Sequence, residues 1–524
     1  MANSSSEQIT KLAACIQPPG VSAGGGDSEK FYVHAAVSRA AGLYEKVRNV
    51  IDYKDEHLLR KAALTRILKR QLAFGGTAQT ISRQLIKELI AAGYLPNGSV
   101  SVDILPAVEI ILNKYLLIRS VRAGDDRHVR WLLGLIVAEL EELFDPRNYE
   151  RGLSVFLFES VVDRIALRGV EMEEMDRRLQ IYIACLRTLY KADDELLSYK
   201  LIRAYHTRWM HPETWENQTQ EVAYQMVGVE QRIRSQLQHV LGPKFQNAVK
   251  PAAVALRILF DVLKTKPAEA EARMQKLPDL MPTIEAAADE RMNESKRRLR
   301  RGVLHTIIYL FLTKMLIAVA IEVPFEEIFY KMVDYRALII NVTFPPLLML
   351  LVGILIRLPG KENVVKIQGL IKQLLTTEGI DIREVRRSTP KQFWPRLFLR
   401  IVYALMFTVS FGIVYIGLDR LHFTVLSAAI FLFFLCVVSF FAFRLRLSVR
   451  EYVVIERPER FSTVVIDFFS YPILRAGQWL STTVSRINIL ILVMDILIEA
   501  PFKFILNGLE MWFAYMREQK EDLQ

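Results

Sequence analysis

The sequence predicts an all-α chain in two parts: a cytosolic helical bundle or irregular helical solenoid, then a transmembrane domain of four or six helices. Three observations predict it. Apolar residues make up 52% of the 524 residues while charged residues still reach 24%, so the apolar character must be concentrated in part of the chain. The strongly apolar runs all follow Lys296. Before that point apolar residues recur at helical spacing, and strand-like alternation is nearly absent.

Residues 1–29 include most of QPPGVSAGGGDSEK, a Pro/Gly/Ser-rich stretch that cannot bury a core and is expected to be a disordered tail. MANSSSEQITKLAAC has no basic run followed by an apolar one, so no secretory leader is expected and the N-terminus is placed in the cytosol. Residues 30–294 form the expected helical domain. In DEHLLRKAALTRILKRQLAF, Leu58, Leu59, Ala62, Ala63, Ile67 and Leu68 fall at three-to-four-residue spacing. TAQTISRQLIKELIAAGYLPNGS repeats the design and ends at Gly93 and the Pro96-Asn97-Gly98 turn. Further helices are expected near 125–145, 150–168, 171–190, 192–210, 217–240, 244–265 and 267–301, with no fixed repeat period.

Residues 295–447 form the expected transmembrane domain, with spans near 303–323, 337–356, 397–418 and 422–443. Each is long enough for the ~20 helical residues that a bilayer core requires. KRRLRR precedes the first span, a basic loop over 357–396 separates the second from the third, and Arg444, Arg446 and Arg450 follow the fourth. The connection between the first two spans, PFEEIFYKMVDYR, carries more acid than base. Lysine and arginine stay in the cytoplasm, so both termini are expected there, in a cytoplasmic (plasma) membrane crossed several times.

Lys296, Arg297, Arg298, Arg300, Arg301, Arg386, Arg387, Arg444 and Arg446 are then candidate contacts to anionic lipid headgroups. Residues 448–524 are expected to form amphipathic or membrane-associated helices. Asp467, Arg475, Asp495, Glu499 and Lys503 interrupt their apolar runs, which favours helices in the interface or beneath the bundle over two more spans.

Lys314 falls near the centre of the first span. A lysine there should face the bundle interior and find a partner, for which Glu322, Asn341, Asp495 and Glu499 are the candidates. A structural lock between helices is the plainer expectation, a substrate or ion path the sharper one. Asp495, Glu499 and Lys503 share one helical stripe. Pro345, Pro346 and Pro501 are candidate kink positions, since an interior proline removes a hydrogen-bond donor.

Several function classes find little support. His206 and His211 are five residues apart and no HExxH occurs, so no metal or other cofactor is expected. Phosphate-loop, dinucleotide, nucleophile-elbow and kinase signatures are absent, and no catalytic residue is assigned. Cys15, Cys185 and Cys436 give neither a disulfide framework nor metal spacing. The net charge of +11 sits largely at membrane edges, which points to lipid rather than nucleic acid. The expectation is a non-enzymatic, multi-pass scaffold or adaptor whose helical domain binds a protein partner. The alternative is a small-solute or ion transporter or channel using Lys314 and the C-terminal acids, and a lipid-directed membrane enzyme comes third. Partner, cargo and oligomeric state stay open.

Overall fold

The structure is a computed structural model. It describes residues 56–486 apart from 74, 122–125, 146–147, 170, 206–208, 210, 216–217, 332–333, 357–359, 377–383, 387–392 and 456–460; outside that range it describes 9–10, 12–14, 16, 29–34, 38–39, 41 and 512. It is about 85% helical. The chain divides into two compact units, one within 17–158 and 172–246, the other within 1–16, 159–171 and 247–487.

The first unit is a helical bundle. Its helices are α1 (Glu56–Ala73), α2 (Ala78–Ala91), α3 (Leu105–Val121), α4 (Asp126–Phe144), α5 (Asn148–Val161), α6 (Glu174–Tyr190), α7 (Asp194–Tyr205) and α8 (Thr219–Leu237). Thr77 caps α2 through its side chain, and Gly93, at φ +80°, takes the left-handed turn after it. Ile81, Leu85, Ile86, Leu89 and Ile90 are fully buried on the expected face and join Leu64, Leu68, Leu112 and Leu135 in one core.

Several polar groups inside that core are paired. The Lys114 ammonium donates to both carboxylate oxygens of Glu139 at 2.6 and 2.8 Å, and the Tyr115 hydroxyl donates to one of them at 2.8 Å. Trp209 stacks its ring near the ammonium, 4.9 Å from the centroid. Burial, reinforced by the negative Glu139, pushes the Tyr115 phenol well above its ordinary range. His128 Nδ1 meets Glu230 at 2.6 Å, bridging α4 and α8.

The second unit contains α9 (Gly242–Leu263), α10 (Ala270–Gln275), α11 (Leu277–Ile317), a π turn (Ala318–Glu322), α12 (Val323–Tyr330), α13 (Tyr335–Leu355), α14 (Lys361–Leu375), α15 (Phe393–Arg420), α16 (Val425–Val449) and α17 (Phe461–Arg486). A two-residue parallel pairing joins β1 (Leu167–Arg168) to β2 (Val385–Arg386). Among the described residues, four helical stretches are long and apolar enough to cross a membrane: Leu277–Tyr330, Tyr335–Leu355, Arg400–Arg420 and Val425–Leu447. These fit a membrane protein. In the second unit α11 is uninterrupted from 277 to 317, and Arg291 on it bonds Asp261 of α9 at 2.8 Å.

Helices α11, α13 and α16 share a core of Leu299, Val303, Leu310, Met349, Phe434, Val438 and Ala442. The small residues set the closest approaches: a Cβ at Gly302 would stand 3.2 Å from Leu445, and one at Gly353 3.0 Å from Val303. Outward, Leu304, Ile308, Phe311 and Leu312 are exposed, the pattern expected of a helix that meets lipid on that face.

Near the basic ends of these spans a polar collar fixes the chain after α16. Asn363, fully buried at the start of α14, donates to the Tyr452 carbonyl at 2.9 Å and accepts from the amides of Val454 (2.8 Å) and Ile455 (3.3 Å). Tyr452 lies under the guanidiniums of Arg257 and Arg291, 5.7 and 6.0 Å from its ring centroid, and Glu451 pairs with Arg257.

Helix α17 follows over Phe461–Arg486. It packs along α16 and α15. Gly477 lies so close to the Cys436 carbonyl that any Cβ would overlap it, and Ile473 packs against the cluster of Leu418, Ala428, Phe431 and Leu435. The missing side chain at 477 permits backbone-to-backbone contact, which charge counting along the segment does not register.

Candidate functional site

Pro324 begins the local geometry. A proline has no amide hydrogen and its ring crowds the carbonyl one turn earlier, and the turn before Pro324, Ala318–Glu322, widens to π. On a regular helix, eight residues turn ~800°, leaving residues 314 and 322 about 80° out of line. A π turn takes more residues per revolution and removes that excess. Lys314 and Glu322 therefore share one face.

The Lys314 ammonium donates to Glu322 Oε1 at 2.7 Å, and both side chains are 0% exposed. Asn341, on α13, donates from Nδ2 to the same oxygen at 2.8 Å and to the Ser427 carbonyl of α16 at 3.3 Å. The ring of Phe434 lies 4.8 Å from the ammonium and supplies an aromatic face to the cation. Glu322 thus ties the first span to α13, and Asn341 carries the link on to α16. Glu322 Oε2 and Asn341 Oδ1 face no protein donor.

One turn beyond, Glu326 is 2% exposed. Its carboxylate accepts from the Ser427 hydroxyl at 3.0 Å, the Thr424 hydroxyl at 3.3 Å and the Asp334 amide at 3.2 Å. Asp334 and Thr424 are the N-caps of α13 and α16. A carboxylate where two helices begin is stabilised by both macrodipoles.

Of the sequence candidates, the structure brings Lys314, Glu322 and Asn341 together. Asp495, Glu499, Lys503 and Pro501 lie outside the described residues, as do Arg387 and His206. Pro345 and Pro346 lie inside α13, whose helical assignment continues through both. Lys296, Arg297, Arg298, Arg300 and Arg301 are exposed along α11, and Arg444 and Arg446 are exposed near the end of α16. Arg386 is set apart from them in β2 and pairs with Glu384 at 2.7 Å.

Glu326, Ser427, Thr424 and Phe434 were not among the sequence candidates. Glu326 counted only as a loop acid, whereas the helix resumes beyond Pro324 and carries it inward; that proline was the available signal. Serine and phenylalanine inside an apolar run carry no signal of their own. Among the described residues, no group of three or more His, Cys, Asp or Glu could hold a metal ion.

No protein-family model, no curated protein and no solved structure matches the chain.

Proposed function

We propose that this protein is a multi-pass membrane scaffold or adaptor, its helical unit presented to a protein partner and its spans serving as a sealed anchor. One observation supports this above the rest: Lys314, the polar residue deepest in the first span, is 0% exposed and bonded to Glu322. A residue lining a solute path meets water; this one meets a carboxylate and a phenyl ring. Continuity of α11 from 277 into the span adds support, since it joins the Arg291–Asp261 contact with α9 directly to the span. The basic rims at 296–301 and 444–446 belong on the cytoplasmic side by the distribution of positive charge.

A transport role is the second proposal, favoured by the two buried oxygens without donors, Glu322 Oε2 and Asn341 Oδ1. Cysteine accessibility separates the two. Single cysteines replace Lys314 and Asn341 in a cysteine-free full-length protein in native membranes, and a small water-soluble thiol reagent is applied. Protection at both supports the sealed anchor. Labelling at both overturns it in favour of an aqueous path, and reconstituted Lys314→Leu should then lose flux.

A further inference from the structure

The contact between Glu322 and Asn341 fixes which way the Asn341 amide lies. Its Nδ2 meets Glu322 Oε1 at 2.8 Å and the Ser427 carbonyl at 3.3 Å. Both are acceptors, so the nitrogen must face them and Oδ1 must face elsewhere. On the carboxylate, Lys314 and Asn341 both bond Oε1. Glu322 Oε2 and Asn341 Oδ1 are left without a donor among the described residues, on two fully buried side chains. A third oxygen lacks its usual donor, because Pro345 has no amide hydrogen to give the Asn341 carbonyl four residues earlier.

Charge shows what kind of ligand would meet these oxygens. Printed bonds run without a break from Lys314 through Glu322 and Asn341 to Ser427 and Glu326, all of them buried. One ammonium stands there against two carboxylates. The helix dipoles at Glu326 ease its charge locally but add no net charge. An uncompensated charge is costly in such an interior, so a ligand of one positive charge balances the cluster where a divalent ion would overshoot. The available atoms are all oxygen, one of them anionic, which suits a hard cation rather than a transition metal.

We infer that Glu322 Oε2, Asn341 Oδ1 and the Asn341 carbonyl bind one sodium ion. Lys314 keeps Oε1, so ammonium and ion share the carboxylate from its two oxygens. A single carboxylate attracts the smaller alkali cation more strongly, since its charge comes nearer, and sodium is preferred to potassium. Neither functional reading is required for this site: a held ion braces an anchor, and an exchanging one serves a path.

The test uses the full-length protein in detergent, first exchanged into choline chloride. Choline is then replaced stepwise by sodium or potassium at constant ionic strength, and the melting temperature is read. Sodium should raise it along a single-site saturation curve, and potassium should raise it less at equal concentration. E322Q and N341L should abolish the sodium-dependent rise, whatever their own melting temperatures. P345A, which returns a donor to the Asn341 carbonyl, should need about ten-fold more sodium for the same rise. N363A, in the collar, should melt lower in every salt and keep the rise intact. Equal melting temperatures in choline and sodium overturn the inference. So does a rise that survives in E322Q or N341L, which would put the ion elsewhere.

Discussion

Lys314 and Glu322 stand eight residues apart on one continuous rod, yet their charged atoms meet at 2.7 Å with neither side chain reaching the surface. Removing one partner of such a pair strands the other, which costs about 3–5 kcal/mol, whereas replacing both by apolar groups of similar volume is close to neutral. Glu322→Leu and Lys314→Met should each lower stability by that order, and the double variant should recover most of it. Thermal unfolding in detergent around a double-mutant cycle measures this, and additive losses would rule the pairing out as the cause.

The π turn gives a sign test. Pro324→Ala restores an amide hydrogen and lets the turn relax to regular helix. In the native background this should destabilise the protein by about 1–3 kcal/mol, because the pair loses its common face and two buried charges are left poorly matched. In the K314M/E322L background, where there is no pair to misalign, the same change should be neutral or stabilising. A loss of equal size in both backgrounds would contradict the alignment role of Pro324.

Asn363 is a separate point of leverage. Its amide satisfies three backbone groups between Tyr452 and Ile455. Asn363→Ala leaves them unpaired, the Tyr452 carbonyl in a buried setting, and one buried unpaired group costs about 1–3 kcal/mol. Amide hydrogen exchange at Val454 and Ile455 should accelerate at least ten-fold, with little change at α2 in the other unit.

Tyr115 sets the alkaline behaviour of the helical unit. Burial and the negative Glu139 raise its folded pKa above the ordinary 10.0. A raised folded pKa contributes stability in full below the unfolded value and loses it as pH climbs past that value, because only the unfolded chain releases the proton. Between pH 10 and the folded pKa, stability should fall by about 1.4 kcal/mol per pH unit from this residue. Lys114, held below its ordinary range by burial, acts in the opposite direction. Tyr115→Phe isolates the tyrosine contribution: its unfolding curve should be flatter above pH 10, and an unchanged slope would assign the alkaline limb elsewhere.

Much of this architecture is legible in the chain because spans and amphipathic helices announce themselves through period and run length. Lys314, Glu322 and Asn341 could be shortlisted since polar residues are conspicuous in hydrocarbon. Their mutual contact was harder to see, because regular helical geometry puts 314 and 322 on different faces and only Pro324 hints otherwise. Glu326 reads as an outer-loop acid until the helix is seen to continue past the proline. Leu167 pairing with Val385 rests on two residues far apart in sequence, with no local pattern to mark it. The contact of Gly477 with Cys436 likewise depends on a side chain that is missing rather than one that is present.

The 41 residues of α11 form a shaft, and a shaft has an angular phase. Between Arg291, bonded to Asp261 at one end, and Lys314, bonded to Glu322 at the other, nothing lets the rotation slip. Inserting one residue in that interval would swing Lys314 by about 100° and push it 1.5 Å along the axis. Four inserted residues would return it almost to its original bearing, one turn higher. The number of residues in this interval is thus constrained more tightly than their identity, and changes in length there act as rotations of the membrane pair against the collar.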